Sequence, residues 1–149
     1  MNLLLDTNVL IDYLGRKPPF YDSAKKIIAS GYFGDAKLWT PVQSLKDAFY
    51  VLEKYAGSLR VQNAIIHACE VITPVGLAGD EALRAARLQW EDYEDCLIAI
   101  AAEKVKADYL ITRDKKDFER SLVPVMTPDE WLFLMEKEYL LSYELLDNF

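Results

Sequence analysis

A chain of 149 residues that is 52% hydrophobic and 28% charged is an ordinary globular mixture, long enough for one domain to bury roughly two-thirds of its unfolded surface without metal or disulfide staples. Two cysteines far apart in sequence, Cys69 and Cys96, and a single histidine, His67, exclude a disulfide framework and a zinc site built on Cys or His. The net charge of −7 argues against a broad basic surface for nucleic acid, but not against phosphate held through a hard cation on carboxylates.

No apolar run is long enough to span a bilayer, and no basic segment followed by an apolar stretch and a small-residue cleavage site marks a signal peptide. The expected setting is the cytoplasm, with no membrane partner. Residues 3–5, three leucines, read as a strand buried on both faces that runs straight into Asp6-Thr7-Asn8, where the chain turns and the next helix is capped. Asp6 thereby stands at the carboxyl end of a central strand, the edge at which open α/β sheets bind ligands. Residues 9–14 read as a short helix stopped by Gly15 and Pro18-Pro19. Residues 20–30 read as an amphipathic helix with Ala24, Ile27 and Ile28 inward, closed by Gly31 and Gly34. Residues 37–40 are strand-like, and residues 44–55 repeat Leu45, Ala48, Phe49 and Leu52 at helical spacing up to Gly57. A helix over 60–69, a strand over 70–73 and an alanine-rich helix over 79–89 follow.

Residues 93–106 form the most deeply buried helix expected, because every residue from Cys96 to Ala102 is apolar and its alanines let the backbone approach a sheet. Residues 109–112 read as a strand ending in Thr112-Arg113-Asp114, residues 123–126 as a last short strand, and Pro128 as the start of a helix. The tail from 136 to 149 reads as helical. Strands alternating with helices along the whole length predict a three-layer α/β/α sandwich on a mainly parallel sheet.

Carboxylates recur where these strands end or helices begin: Asp6, Asp47, Asp92 with Asp95, and Asp114 with Asp117. Each has an ordinary structural explanation. Ser44-x-x-Asp47 has the form of a capping box, Asp92 suits an N-cap, Asp95 suits the positive end of a helix, and Asp117 suits a turn before Phe118. Together they point elsewhere. If the first and fourth strands are neighbours, Asp6 and Asp114 meet at one sheet edge, and the buried helix brings Asp95 to it. Carboxylates so gathered repel one another unless a cation neutralises them, which implies magnesium or manganese and the hydrolysis of a phosphodiester. Arg113 is the best placed of the basic residues for a phosphate backbone, although it could simply pair with Asp114; Arg16, Lys17, Lys46, Lys115 and Lys116 read mostly as a solvated face.

The order Leu5-Asp6-Thr7-Asn8-Val9-Leu10, a helix carrying Asp47, Asp92-x-x-Asp95-x-Leu97-Ile98-Ala99, and Leu110-Ile111-Thr112-Arg113-Asp114-x-x-Asp117-Phe118 resembles the PIN domain. Within that family it is most similar to the single-domain ribonuclease toxins of the VapC type, over residues 2–136. The resemblance implies a five-stranded parallel sheet and an acidic pocket that holds one or two magnesium or manganese ions for cleavage of RNA. Asp6, Asp95 and Asp114 match the family's metal-binding positions. Asp47 matches its second acidic position, where glutamate is commoner and reaches further. Asp117 and Asp92 belong to the same motifs as further ligands or supports, while Asn8 and Thr112 suit orienting roles.

Such toxins are inhibited by a small antitoxin and are usually dimers, so both partners are expected beside the RNA substrate. Residues 1–136 would be the nuclease domain, with 137–149 a helical tail packed on it or at an interface. Two rivals remain: a PIN fold that only binds, weakened by Asp47, and an aspartyl-phosphate phosphatase, which would want an acid at the position of Asn8.

Overall fold

The computed structural model describes residues 1–144 of the chain. At its centre is strand β1 (Asn2–Leu5), whose three leucines have no exposed surface. Successive side chains of a strand point to opposite faces, so Leu3 and Leu5 enter one core and Leu4 another. An all-apolar strand is what a sheet covered on both sides requires.

Strands β2 (Lys37–Pro41) and β4 (Tyr109–Ile111) flank β1, with β3 (Ile72–Val75) and β5 (Val125–Met126) outside them. The order is β3-β2-β1-β4-β5 and every pairing is parallel. The chain therefore winds outward from β1 to β3, then crosses back to the other side of β1 to lay down β4 and β5. That reversal falls between β1 and β4, the point at which the crevice beyond the strand ends opens in sheets of this kind. Leu5 pairs with Ile111, which places Asp6 directly beside Thr112.

One face of the sheet is covered by α1 (Thr7–Leu14), α2 (Tyr21–Tyr32), α3 (Val42–Ala56), α4 (Ser58–Ala68) and α7 (Pro128–Tyr139), through Val9, Ile27, Ala48, Ala68 and Trp131 among others. α6 (Tyr93–Lys104) covers the other face, laying Ile98, Ala99, Ala101 and Ala102 against Leu4 and Leu110. α5 (Gly79–Arg87) lies outside α6, where Ala85 packs on Cys96 and Ile100. The three-layer sandwich expected from the sequence is present, and α6 is its most buried helix.

Several boundaries differ from the sequence reading, each for a physical reason. α2 runs through Gly31 rather than stopping there. A Cβ on Gly31 would meet Leu38 at 2.6 Å and Val71 at 2.8 Å, so the glycine serves a close approach to the sheet. α3 begins at Val42, with Pro41 as an N-cap that offers no side-chain acceptor. Ser44 is therefore inside the first turn and not a cap; its hydroxyl shares a 2.7 Å hydrogen bond with Thr7 and ties α3 to α1. The third strand starts at Ile72, two residues later than expected. The tail is not helical over 140–144: Leu140 takes a left-handed conformation with φ of 56°, and the chain turns back so that Tyr143 is buried in the core. Leu145, Leu146 and Phe149 lie outside the described residues.

Candidate active site

Asp6 leaves β1 and caps α1, one carboxylate oxygen accepting from the Thr7 amide at 2.7 Å. The other accepts from the hydroxyl of Thr112 at 2.7 Å, across the β1–β4 boundary. Thr112 is wholly buried, and its oxygen in turn accepts from the Asn8 side-chain amide at 3.3 Å and from the Asp114 amide at 3.1 Å. A hydroxyl has one proton and two lone pairs, so Thr112 is saturated. Asn8 also donates to an Asp114 carboxylate oxygen at 3.2 Å and accepts from the Arg113 amide at 3.4 Å. Asp6 and Asp114 are thus held in one network through Thr112 and Asn8.

Asp95 comes from the first turn of α6, whose N-cap is Asp92; the Asp92 carboxylate accepts from the Asp95 amide at 3.1 Å. Asp6, Asn8, Asp47, Asp95 and Asp114 all line one cavity of about 640 Å³, which also takes in Lys46, Tyr50, Tyr93 and Glu94. The crowding is electrostatically visible. Burial pushes the Asp6 carboxyl up to about 6, against the hydrogen bonds from Thr112 and Thr7, and the charges of Asp114 and Asp117 raise it further. Burial and then Asp92, Asp6, Asp117 and Glu94 push Asp95 up to about 7.

An all-oxygen set of carboxylates under mutual repulsion is the chemistry a hard divalent cation selects and relieves. In kind, Asp6, Asp95 and Asp114 fit such an ion. Among the described residues, no three His, Cys, Asp or Glu side chains are drawn into a ligand cage, so these acids share a cavity and not a point.

The remaining acids separate. Asp47 sits in the second turn of α3, not the first, with its Oδ1 3.3 Å from Lys46 Nζ. Asp92 and Asp117 line a neighbouring cleft of about 490 Å³ with Trp90, Lys116 and Arg120, reached past Asp95, and they bear on the main cavity through their charge. Arg113 does not pair with Asp114. Its Nε and Nη2 donate to both oxygens of Asp12, at 2.7 and 3.3 Å, and its guanidinium lies 3.9 Å from the centre of the Phe20 ring. That pair ties α1 to the loop after β4, while Arg113 stays partly exposed and lines a second cavity with Asp114. Asn8, with its amide engaged on Thr112 and Asp114, leaves no second acid where a phosphatase needs one.

Sequence reasoning passed over Asp12, which is almost wholly buried, and the cavity residues Tyr50 and Tyr93. The signal for Asp12 was an acid one turn after Asn8 on the same face of an otherwise apolar helix.

Several solved structures resemble the chain. VapBC2 from Rickettsia felis, solved bound to a DNA fragment from its promoter, is 18% identical with a TM-score of 0.66, covering 85% of this chain and 98% of that one. VapBC-1 from nontypeable Haemophilus influenzae is 20% identical with a TM-score of 0.65 over 87% and 99% of the two chains. VapC20 from Mycobacterium tuberculosis, described as a sarcin-ricin loop cleaving toxin, is 15% identical with a TM-score of 0.59 over 72% and 86%. These likenesses are of fold. Among curated proteins no significant sequence match is found. The sequence does match the family model described as PIN domain over residues 2–116, most of its length, and the chain belongs to the PIN-domain family.

Proposed function

We propose that this chain is a divalent-metal-dependent endoribonuclease that serves as the toxin of a toxin–antitoxin pair. The observation that carries the reading is the meeting of Asp6, Asp95 and Asp114 in one cavity at the β1–β4 switch point, with the Asp6 and Asp95 carboxyls shifted upward by burial and by neighbouring carboxylates. Asp6, Asp95 and Asp114 would hold magnesium or manganese. Such an ion, when bound, neutralises phosphate charge and makes a water acidic enough to act as a nucleophile.

The chain's own residues do the rest. Thr112 and Asn8 hold the carboxylates of Asp6 and Asp114 in orientation. Asp47, which lines the α3 wall of the same cavity, would accept a proton from an attacking water. Asp92 and Asp117 add negative charge from the adjoining cleft. The inhibitory partner would be a small protein presenting a basic segment to this acidic mouth, a reading supported by the toxin–antitoxin complex among the chain's structural neighbours; the toxin itself would be a homodimer. We assign residues 1–136 to the nuclease domain and the residues after it to a tail, of which 140–144 turn back onto the domain through Tyr143.

One observation favours a second reading, a PIN-fold binding module without catalysis: among the described residues no three acids are drawn together as placed. Incubating the purified protein with a pool of structured and unstructured RNA in magnesium, manganese or EDTA separates the two. Cleavage in either metal that EDTA abolishes and Asp95→Asn loses is the expected outcome. A folded wild type that cuts nothing in either metal would leave the binding module standing.

A further inference from the structure

The cavity that holds the acids has a second wall of different chemistry. α3 presents Lys46, Tyr50 and Lys54 at four-residue intervals, so the three lie along one ridge of the helix. Lys46 and Tyr50 line the acidic cavity, and Lys54 Nζ stands 4.8 Å from the centre of the Tyr50 ring. Tyr50 keeps 66% of its surface exposed, and Tyr93, from the same cavity, keeps 43%. The Tyr93 hydroxyl donates to the Ala82 carbonyl at 2.9 Å, which restrains that ring without burying it. Neither tyrosine is core, and both stand where a substrate of the acids must pass.

We propose that the Lys46-Tyr50-Lys54 ridge of α3, together with Tyr93, is a track for single-stranded RNA in which Tyr50 stacks an unpaired base beside the phosphate addressed by Asp6, Asp95 and Asp114. This rests on the ribonuclease reading above and assigns the residues that hold the strand beside the acids. Cations spaced by an aromatic ring along one line match a strand whose phosphates alternate with exposed base faces. On a chain of net charge −7, Lys46 and Lys54 on this ridge give phosphate a local approach to the acidic cavity that the overall charge does not. A base can reach Tyr50 only when it is unstacked. In an A-form duplex both faces of every base are occupied by neighbours, and the deep groove hides the edges. At about 640 Å³ the cavity falls within the range of sites that enclose whole small ligands, which leaves room for a nucleotide.

The test uses the full chain with manganese and a fluorescently labelled RNA pool of randomised sequence, either single-stranded or annealed to its complement. Wild type is expected to cut the single strands and to lose at least tenfold in rate on the duplexes. Tyr50→Ala should raise KM about tenfold, more than it lowers kcat, as the loss of one base–aromatic stack. Tyr50→Phe should restore KM to within about twofold, since the ring and not the hydroxyl does the stacking. Lys54→Ala should reduce the salt slope of binding by about one. Equal KM for Tyr50→Ala and wild type, or equal cleavage of duplex, overturns the track while leaving the nuclease intact. If wild type cuts no RNA, anisotropy of the same pool decides separately. Weaker binding by Tyr50→Ala keeps the track without the catalysis, and unchanged binding removes both. A Tyr50→Ala protein that holds RNA normally but no longer binds a protein inhibitor would make the ridge a partner surface and overturn the proposal.

Discussion

Asp6 and Asp95 carry the clearest electrostatic signature in the molecule, and it has a sign that solution experiments can read. Both are raised from the usual 3.8, to about 6 and about 7, so between roughly pH 4 and pH 7 the folded chain binds more protons than the unfolded one. The stability tied to these groups is full below that window and is lost as pH rises through it. In EDTA, Asp95→Asn lacks the Asp95 titration and keeps only that of Asp6, so its melting temperature should exceed that of wild type by a few degrees at pH 8, with the gap closing toward pH 4. A gap that is flat with pH, or that opens on acidification, would contradict the burial and repulsion described here. Manganese at pH 8 should raise the wild-type melting temperature more than that of the variant. Thr112 is the other decisive residue: Thr112→Val keeps its volume but leaves Asp6 and the Asp114 amide without their partner. The expected cost is about 1–3 kcal/mol in chemical denaturation, with metal-dependent cleavage falling roughly 10–100-fold.

α1 is the element on which the site depends, because it is tied at both ends to different layers. Asp6 caps its start, Thr7 bonds Ser44 of α3, and Asp12 near its end holds Arg113 in a two-pronged pair. Asp12 keeps only 2% of its side chain exposed while Arg113 keeps 26%, so removing the acid strands a cation that water partly reaches. Asp12→Ala should therefore cost about 2–3 kcal/mol, below the full figure for a broken buried pair. Arg113→Lys retains the charge but not the fork and should cost part of that. Both are measured by urea denaturation. Arg113→Lys should also leave the salt dependence of RNA binding unchanged; a slope lower by about one would mean that Arg113 contacts phosphate after all.

At the scale of the whole molecule the tail closes the fold. After Leu140 the chain reverses, and Tyr143 enters the core under α2 with its hydroxyl donating to Asp35 at 2.7 Å. Burial and the Asp35 carboxylate both push the Tyr143 phenol upward, so it stays protonated as a donor. Tyr143→Phe should cost about 1 kcal/mol, the net worth of one hydrogen bond, and Tyr143→Ala about 3 kcal/mol, as a buried ring is lost. Equal stability of wild type and Tyr143→Ala would show that the burial of Tyr143 adds nothing to the domain.

The parallel sheet, the buried α6 and the acids at strand ends were legible in the sequence because they follow from local pattern. An apolar run such as Leu3-Leu4-Leu5 states that both faces are covered, and an Asp after it states where the strand stops. Helix stops were legible at Gly15, which caps α1, and at Gly57 with its φ of 86°. Gly31, which looks the same in sequence, instead admits Leu38 and Val71 from other elements. The tertiary structure alone decided partnership. Arg113 chose Asp12 over the adjacent Asp114, Ser44 chose Thr7 over its own helix end, and Asp92 and Asp117 fell into a cleft beside the one that holds Asp6. Each of those choices joins residues far apart along the chain or turns on which way a helix faces, and neither is written in the spacing of residues along one segment.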